Sequence, residues 1–167
     1  RLYMREHRLG NTVADDLWQA LSKASGKPGL REFAQAWTTQ PGFPLVDVSQ
    51  RCEAGRAVVR LAQQRFLLRE AYAPAQRWPL ALVLKAGDHS PQALNFATEA
   101  IEVAAGSCTD RVLVDPGAHG YFRVRYDEPV WQRLVEGFSK LDAIDQQRLL
   151  VDTWAMAEAG LVDSQRV

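Results

Sequence analysis

The residues that most often carry zinc chemistry are few and widely spaced in this sequence. The chain has three histidines, His7, His89 and His119. A zinc hydrolase typically places two histidines on one helical face, as in His-Glu-x-x-His, with a third ligand and an open position. Glu6-His7 has no second histidine four residues away, and a site built from Cys52, Cys108 and His119 would lack paired Cys-x-x-Cys spacing. We therefore predict no metal-binding residue in this segment.

Candidate nucleophiles and carboxylate pairs are equally weak. Ser107 lies in Ala-Gly-Ser-Cys, which lacks the second glycine of a nucleophile elbow. The stretch Ser25-Gly26-Lys27 lacks the upstream glycine and the following Ser or Thr of a phosphate-binding loop. Glu99 and Glu102 are three residues apart in a predicted strand, so their side chains would face opposite sides, and we expect a solvated edge. The sequence predicts no catalytic and no cofactor-binding residue here.

The two cysteines, Cys52 and Cys108, are too few for a framework of several disulfides. One bridge between them is possible, but their spacing does not indicate it. We expect both to be buried or half-buried free thiols, since free cysteine packs as a small apolar side chain. The compartment is undetermined on this evidence, with the cytoplasm favoured.

Composition and charge are those of an ordinary folded domain. The 167 residues carry 20 basic and 20 acidic groups, and 47% are hydrophobic. This balance argues against disorder and against a nucleic-acid footprint, and no apolar run approaches the length of a membrane span. One basic cluster stands out, formed by Arg51, Arg56, Arg60, Arg65 and Arg69, with only Glu53 against it before Glu70. It could bind an anionic partner, but we favour the solvated face of a strand pair.

The periodicity of apolar residues changes twice along the chain. Residues 1–44 and 129–167 follow a helical period, and residues 45–127 read as about six short strands separated by turns. Thr12 with Asp15, and Asp142 with Asp145, have the spacing of helix caps. The predicted fold is α+β with a mainly β core, an antiparallel β-sandwich flanked by helices at both ends. The uncapped start and unfinished last helix suggest a piece of a larger protein.

The five tryptophans are candidates for an aromatic binding platform. Trp18, Trp37, Trp131 and Trp154 fall on apolar helical stripes, the last with Leu149, Leu150 and Ala157. Trp78 opens the strongly apolar strand that begins Trp-Pro-Leu. We expect all five to pack in the core.

Five short motifs occur in an order that resembles the zinc aminopeptidases of the aminopeptidase N and puromycin-sensitive type, the gluzincin family. They cover nearly all of residues 1–160, and they are Gly10-Asn11 with Asp16-Leu17-Trp18, Trp37–Pro44, Gln63–Phe66, Trp78–Leu80 and Gly120–Asp127. The sequence departs from the family pattern at Arg111, often aromatic there, at Asp115, often Asn, and in a shortened tryptophan strand. Each motif is weak alone, but five in family order form a specific signal.

The resemblance implies an architecture and an activity for the parent protein. Residues 1–44 would be the last helices of a thermolysin-like catalytic domain, 45–127 a β-sandwich third domain, and 128–167 the first helices of an α-helical domain. The parent would remove N-terminal residues from peptides with zinc, whose ligands and general base would all lie before residue 1. This segment would be an inactive spacer that contacts the remaining domains of its own polypeptide, without nucleic acid or membrane. Tyr121, Arg123 and Tyr126 would be structural.

One alternative from another class remains open. The chain could be a free-standing β-sandwich module that binds a peptide or an anionic ligand through the arginines or the aromatic residues. An enzyme with its own site inside these residues is the weakest alternative, because no constellation has the required spacing.

Overall fold

The computed structural model describes residues 1–69 and 75–166. Glu70, which ends the predicted basic cluster, and Val167, the end of the predicted last domain, lie outside the described residues. The chain divides into two compact units, one of residues Arg1–Pro41 and one that begins at Gly42. The domain boundaries expected from the family resemblance stay a prediction.

The first unit is helical. Its elements are α1 (Leu2–Glu6), α2 (Ala14–Ser25) and α3 (Leu30–Thr39). The predicted cap at Thr12 is wrong, because the N-cap of α2 is the next residue, Val13, whose N–H donates to the Asp16 carboxylate at 2.9 Å. Gly26 ends α2 in the left-handed conformation. Trp18 and Trp37 are half-buried within this unit.

The second unit contains two sheets followed by helices. Its elements are β1 (Pro44–Glu53), β2 (Arg56–Arg65), β3 (Leu80–Ala86), β4 (Gln92–Phe96), β5 (Ala100–Ser107), β6 (Val112–Val114), β7 (Arg123–Tyr126), α4 (Glu128–Glu136) and α5 (Ala143–Glu158), with short 3-10 helices at Phe138–Lys140 and Ser164–Arg166. The α+β class with two mainly antiparallel sheets and helices at both ends is confirmed.

Strand order places β1 and β2 at the centre of the larger sheet, which we call sheet A. Sheet A has the order β5-β2-β1-β7, and sheet B has the order β4-β3-β6. The expectation of purely antiparallel pairing is wrong for sheet A, because β7 runs parallel to β1. Local sequence sets the direction of a hairpin partner, such as β2 beside β1, but not that of a strand that returns from far along the chain.

The sheets carry the apolar core that the alternating pattern predicted. Val46, Val59 and Leu61 of sheet A and Leu80 and Leu84 of sheet B are each almost fully buried. Trp78 is completely buried just before β3, as predicted. The additional strand β4 was not predicted, since its sequence Gln-Ala-Leu-Asn-Phe contains no β-branched residue.

Candidate functional site

In the part of the chain that the structure describes, the residues that could do chemistry do not come together. Among residues 1–69 and 75–166, no group of three or more His, Cys, Asp or Glu is placed to hold a metal ion. His89 lies beside Asp110 at 3.4 Å on the exposed surface. Glu99 and Glu102 each bind an arginine, the first at 2.6 Å and the second at 2.5 Å. These carboxylates therefore act as ion-pair partners rather than as an acid–base pair.

The prediction of free thiols is wrong. Cys52 and Cys108 form a disulfide with a Cα–Cα distance of 5.4 Å. Their sequence separation of 56 residues gave no sign of this, because only the fold brings the end of β1 beside the turn after β5. The bridge also excludes the conceivable metal site of two thiolates and His119, since a disulfide offers no thiolate ligand.

The basic cluster predicted between residues 51 and 69 is not one continuous patch. Arg56 and Arg60 lie on the exposed face of β2, whereas the strand period turns Arg65 to the other face. Arg51 forms ion pairs with Glu53 at 2.8 Å and with Glu102 at 2.5 Å. The Arg51 guanidinium holds the pKa of the Glu102 carboxyl below its usual range. Ion pairing and the division between two faces agree with a solvated strand surface.

A buried polar cluster joins helix α5 to the sheets, and we call it the α5 anchor. It consists of Asp115, Arg123, Asp145, Arg148 and Asp152. The three aspartates are among the few buried polar residues, and Asp152 is only 3% exposed. Buried charges are costly unless they are paired and hydrogen-bonded, so every partner of these groups matters.

Asp152 is the centre of the α5 anchor. Its carboxylate accepts hydrogen bonds from Arg123 Nη1 at 2.9 Å, from the backbone N–H of Val124 at 2.9 Å and from Arg148 Nε at 2.8 Å. Arg148 also donates to the carbonyl of Phe122 and lies over the ring of that residue. One carboxylate on α5 thus binds the backbone and a side chain of strand β7 at once.

The loop before β7 is fixed by the other two aspartates of the α5 anchor. Asp115 adopts a left-handed φ of 55°, and its carboxylate accepts from the Gly120 N–H at 2.7 Å. Asp145 accepts from the Gly117 N–H at 2.7 Å. Asp145 was predicted to assist a cap at Asp142, but Asp142 makes no side-chain capping bond. The Asp145 carboxylate therefore binds the loop instead of capping the helix.

Tyr126 connects the two sheets. Its hydroxyl oxygen accepts a hydrogen bond from the backbone N–H of Val114 in β6 at 3.0 Å. Burial raises the pKa of this phenol well above its ordinary value. Tyr121, in contrast, is largely exposed and lies against the ring of Phe43 at 5.2 Å.

A groove of about 550 Å³ lies between β1, β7 and the segment after α5. Two ion pairs lie in its walls, since Arg125 binds Asp47 at 2.5 Å and Arg166 binds Glu128. The groove therefore offers a polar surface on which most charges already have partners. Within the described residues, no helix is long and apolar enough to cross a membrane.

The apolar stripe predicted for α5 is partly wrong. Leu149 is buried, but Leu150 and Trp154 are 53% and 57% exposed. The helix instead buries Asp152 and Thr153 together with Met156. Spacing i, i+3, i+4, i+7 from Leu149 does give this buried face, so the signal was present. A search for apolar residues misses this face because Asp152 and Thr153 are polar.

The α5 anchor thus fixes a helix and a loop on a sheet. Comparison with known proteins shows which class of protein this chain resembles. No family model matches the chain. Its curated relatives are aminopeptidases and a protease-interacting factor, and the resemblance indicated by the motifs is confirmed.

Individual relatives match almost the whole of this chain. Tricorn protease-interacting factor F2 of Thermoplasma acidophilum is 30% identical over 160 residues, which is 96% of this chain and 19% of that protein. Aminopeptidase 2 of Candida albicans is 29% identical over 167 residues, 96% of this chain and 17% of that enzyme. Aminopeptidase N of Lactobacillus delbrueckii subsp. lactis is 28% identical over 162 residues. The chain spans less than a fifth of the length of these relatives.

Proposed function

We propose that this chain is a segment of a zinc-dependent aminopeptidase that removes N-terminal residues from peptides. The observation that carries the proposal is similarity along 96% of the chain to a stretch of full-length aminopeptidases. In the proposal, the segment is a structural spacer between a catalytic and a helical domain and has no turnover of its own. Its partners are the remaining domains of the same polypeptide, and the peptide substrates belong to the parent enzyme.

The described residues supply no donor set that fits zinc. We therefore place the metal, which would polarise the scissile carbonyl and activate water, in another part of the parent polypeptide. No step of the reaction is assigned to a residue of this chain. In the proposal, these residues position the neighbouring domains of the parent polypeptide.

The proposed spacer is a β-sandwich formed by the two sheets. Polar side chains bridge the sheets from both ends, since the Gln63 side-chain amide donates to the Trp78 carbonyl at 3.0 Å and that of Gln92 donates to the Ala104 carbonyl at 3.1 Å. The apolar faces of β2 and β3 are buried. A two-layer core of this kind resists bending, as a spacer requires.

The α5 anchor supports the same role. A spacer must fix the direction in which the next element leaves it, and directional hydrogen bonds do this better than apolar contact alone. Asp152 binds β7 and Arg148 simultaneously. The helix α5 therefore has one defined orientation on the sheet.

The test of inactivity uses the purified 167-residue chain with fluorogenic aminoacyl amides and added zinc. We expect no release of fluorophore above the rate without protein. Turnover that a chelator removes and zinc restores would overturn the proposal. The same assay on the complete polypeptide encoded by the gene should give zinc-dependent turnover.

The test of the spacer role compares two variants of that complete polypeptide. Measured at a temperature at which tryptophan fluorescence shows both variants folded, Asp152→Asn should lower kcat/KM for peptides while the bound zinc stays unchanged, because the substitution weakens the contacts that orient α5. Asp88→Asn, an exposed aspartate in the turn after β3, is the matched control and should have no effect. Equal activity of both variants would contradict the spacer role.

The alternative of a free-standing β-sandwich module for a peptide or anionic ligand makes a different prediction. The isolated chain would bind an acidic peptide, and Arg60→Ala would weaken that binding. No binding at high protein concentration favours the spacer.

A further inference from the structure

The disulfide lies at one end of sheet A, where it joins the two strands that flank β2. Cys52 is paired with Ala57 in the β1–β2 hairpin, and Cys108 follows directly after Ser107, which is paired with Arg56. The bond therefore crosses the first residues of β2. We call this group of residues, 50–58 and 106–111, the closed end of sheet A.

Non-covalent contacts hold the same strands together across β2. The Gln50 side-chain amide donates to the carbonyl of Cys108 at 3.0 Å. Arg51 forms two parallel hydrogen bonds to Glu102 of β5, at 2.5 and 2.8 Å. In the bonded pair the two Cα atoms are 5.4 Å apart, which lies within the usual range of a disulfide. Because they do not depend on the bond, these contacts are expected to keep the two thiols close together in the reduced chain.

The two cysteine residues differ in exposure. Cys52 is exposed and Cys108 is half-buried, and these are the only cysteines of the chain. Disulfide exchange proceeds by attack of a thiolate on an accessible sulfur. Cys52 is therefore the sulfur that an external thiol reaches first.

We propose that Cys52–Cys108 is a redox lock on the closed end of sheet A, formed after folding by exchange with an oxidised protein dithiol. The two thiols lose two protons and two electrons as the Sγ–Sγ bond forms, and the disulfide of the oxidant is reduced to two thiols. An external dithiol reverses the reaction and is itself oxidised. Structural disulfides persist in oxidising compartments, so the chain matures in such a compartment rather than in the cytoplasm.

The lock is connected to helix α4. The side-chain oxygen of Gln50 accepts a hydrogen bond from Arg133 Nη2 of α4 at 2.6 Å. The Gln50 backbone N–H donates to Asp127, the residue that caps α4. Opening the lock loosens the strand that carries Gln50, and the effect extends to the start of α4 while the α5 anchor keeps its contacts.

The first test is thiol trapping with a polyethylene glycol maleimide. Protein isolated from an oxidising compartment should show no modification after denaturation, and two modifications after prior reduction. Two free thiols without reduction would overturn the proposal. Reduced protein should regain the disulfide on addition of an oxidised dithiol without first unfolding, and recovery only after unfolding would overturn formation in the folded state.

The second test is amide hydrogen exchange of the oxidised and the reduced chain. Reduction should speed exchange at the closed end of sheet A at least about tenfold more than in the segment around Asp152. The Cys52→Ser/Cys108→Ser variant should match the reduced chain and should not respond to the reductant. Equal exchange in the oxidised and the reduced chain would overturn the lock.

Discussion

Replacing Asp152 by asparagine should destabilise the second unit strongly, although the two side chains have nearly the same shape. The carboxylate is 3% exposed and accepts three hydrogen bonds, two of them from guanidinium groups. Asparagine retains one oxygen for the Val124 N–H but removes the negative charge. Arg123 and Arg148 then remain at the edge of the core without their common anion.

The expected loss of stability depends on the contacts that Arg123 and Arg148 retain in the variant. Removing one partner of a buried ion pair costs about 3–5 kcal/mol. Arg148 retains the Phe122 carbonyl and a carboxylate oxygen of Asp115 at 3.7 Å, and the Arg123 side chain is 26% exposed. We therefore expect the lower end, about 3 kcal/mol, for Asp152→Asn. Asp152→Ala also leaves the Val124 N–H unpaired, which adds about 1–3 kcal/mol.

The assay is urea unfolding of the 167-residue chain, followed by tryptophan fluorescence. Both variants should shift the midpoint to lower urea with an unchanged slope, and alanine should shift it further. The exposed control Asp88→Asn should stay within about 0.5 kcal/mol of the parent chain. A loss below about 1 kcal/mol for Asp152→Asn would show that the α5 anchor is solvated in solution, and the reasoning would fail.

Three further perturbations test other parts of the second unit. Tyr126→Phe should cost about 1–3 kcal/mol in urea unfolding, because the buried Val114 N–H loses its acceptor; an unchanged midpoint would argue against this bond between the sheets. Removing the disulfide by Cys52→Ser/Cys108→Ser should cost about 4 kcal/mol, since the closed loop spans 56 residues, and a thermal midpoint equal to that of the oxidised chain would contradict this value. The Ser107 N–H lowers the pKa of Asp110 in the folded chain, so its stabilising contribution is present at neutral pH and is lost as the pH falls below the ordinary carboxyl value of about 4. Asp110→Asn should flatten the fall in stability with acid, and parallel curves for variant and parent would refute the assignment.

Sequence patterns predicted the elements that alternate or repeat clearly. The hairpin of β1 and β2, its turn at Ala54-Gly55 and the buried face with Val59 and Leu61 all follow from a period of two between turn residues. The helix α4 follows from the return of the helical period after Glu128 and from the proline in its first turn. In these elements local preference and burial agree.

The features that the sequence patterns did not predict have a different cause. The disulfide, the parallel strand β7 and the buried face of α5 all depend on residues that are distant in sequence. Asp145 is an example. Its position in the sequence suits a capping residue, but in the fold its carboxylate accepts a hydrogen bond from the Gly117 N–H instead. A polar residue at a core position of a helix indicates a contact with a residue distant in the sequence. It does not indicate which residue that is.

Helix α5 is oriented with its charges toward the sheet and part of its apolar surface toward solvent. Asp152 and Thr153 are buried, while Leu150 and Trp154 are exposed. The buried face also carries Leu149, Ala155 and Met156, so apolar contacts and the hydrogen bonds of the α5 anchor set the orientation of the helix together. Because the anchor is buried, salt screens it weakly, and the orientation of α5 should persist at high ionic strength. A spacer that must hold one angle in the proposed enzyme gains more from such directional contacts than from a larger apolar interface, which would tolerate sliding.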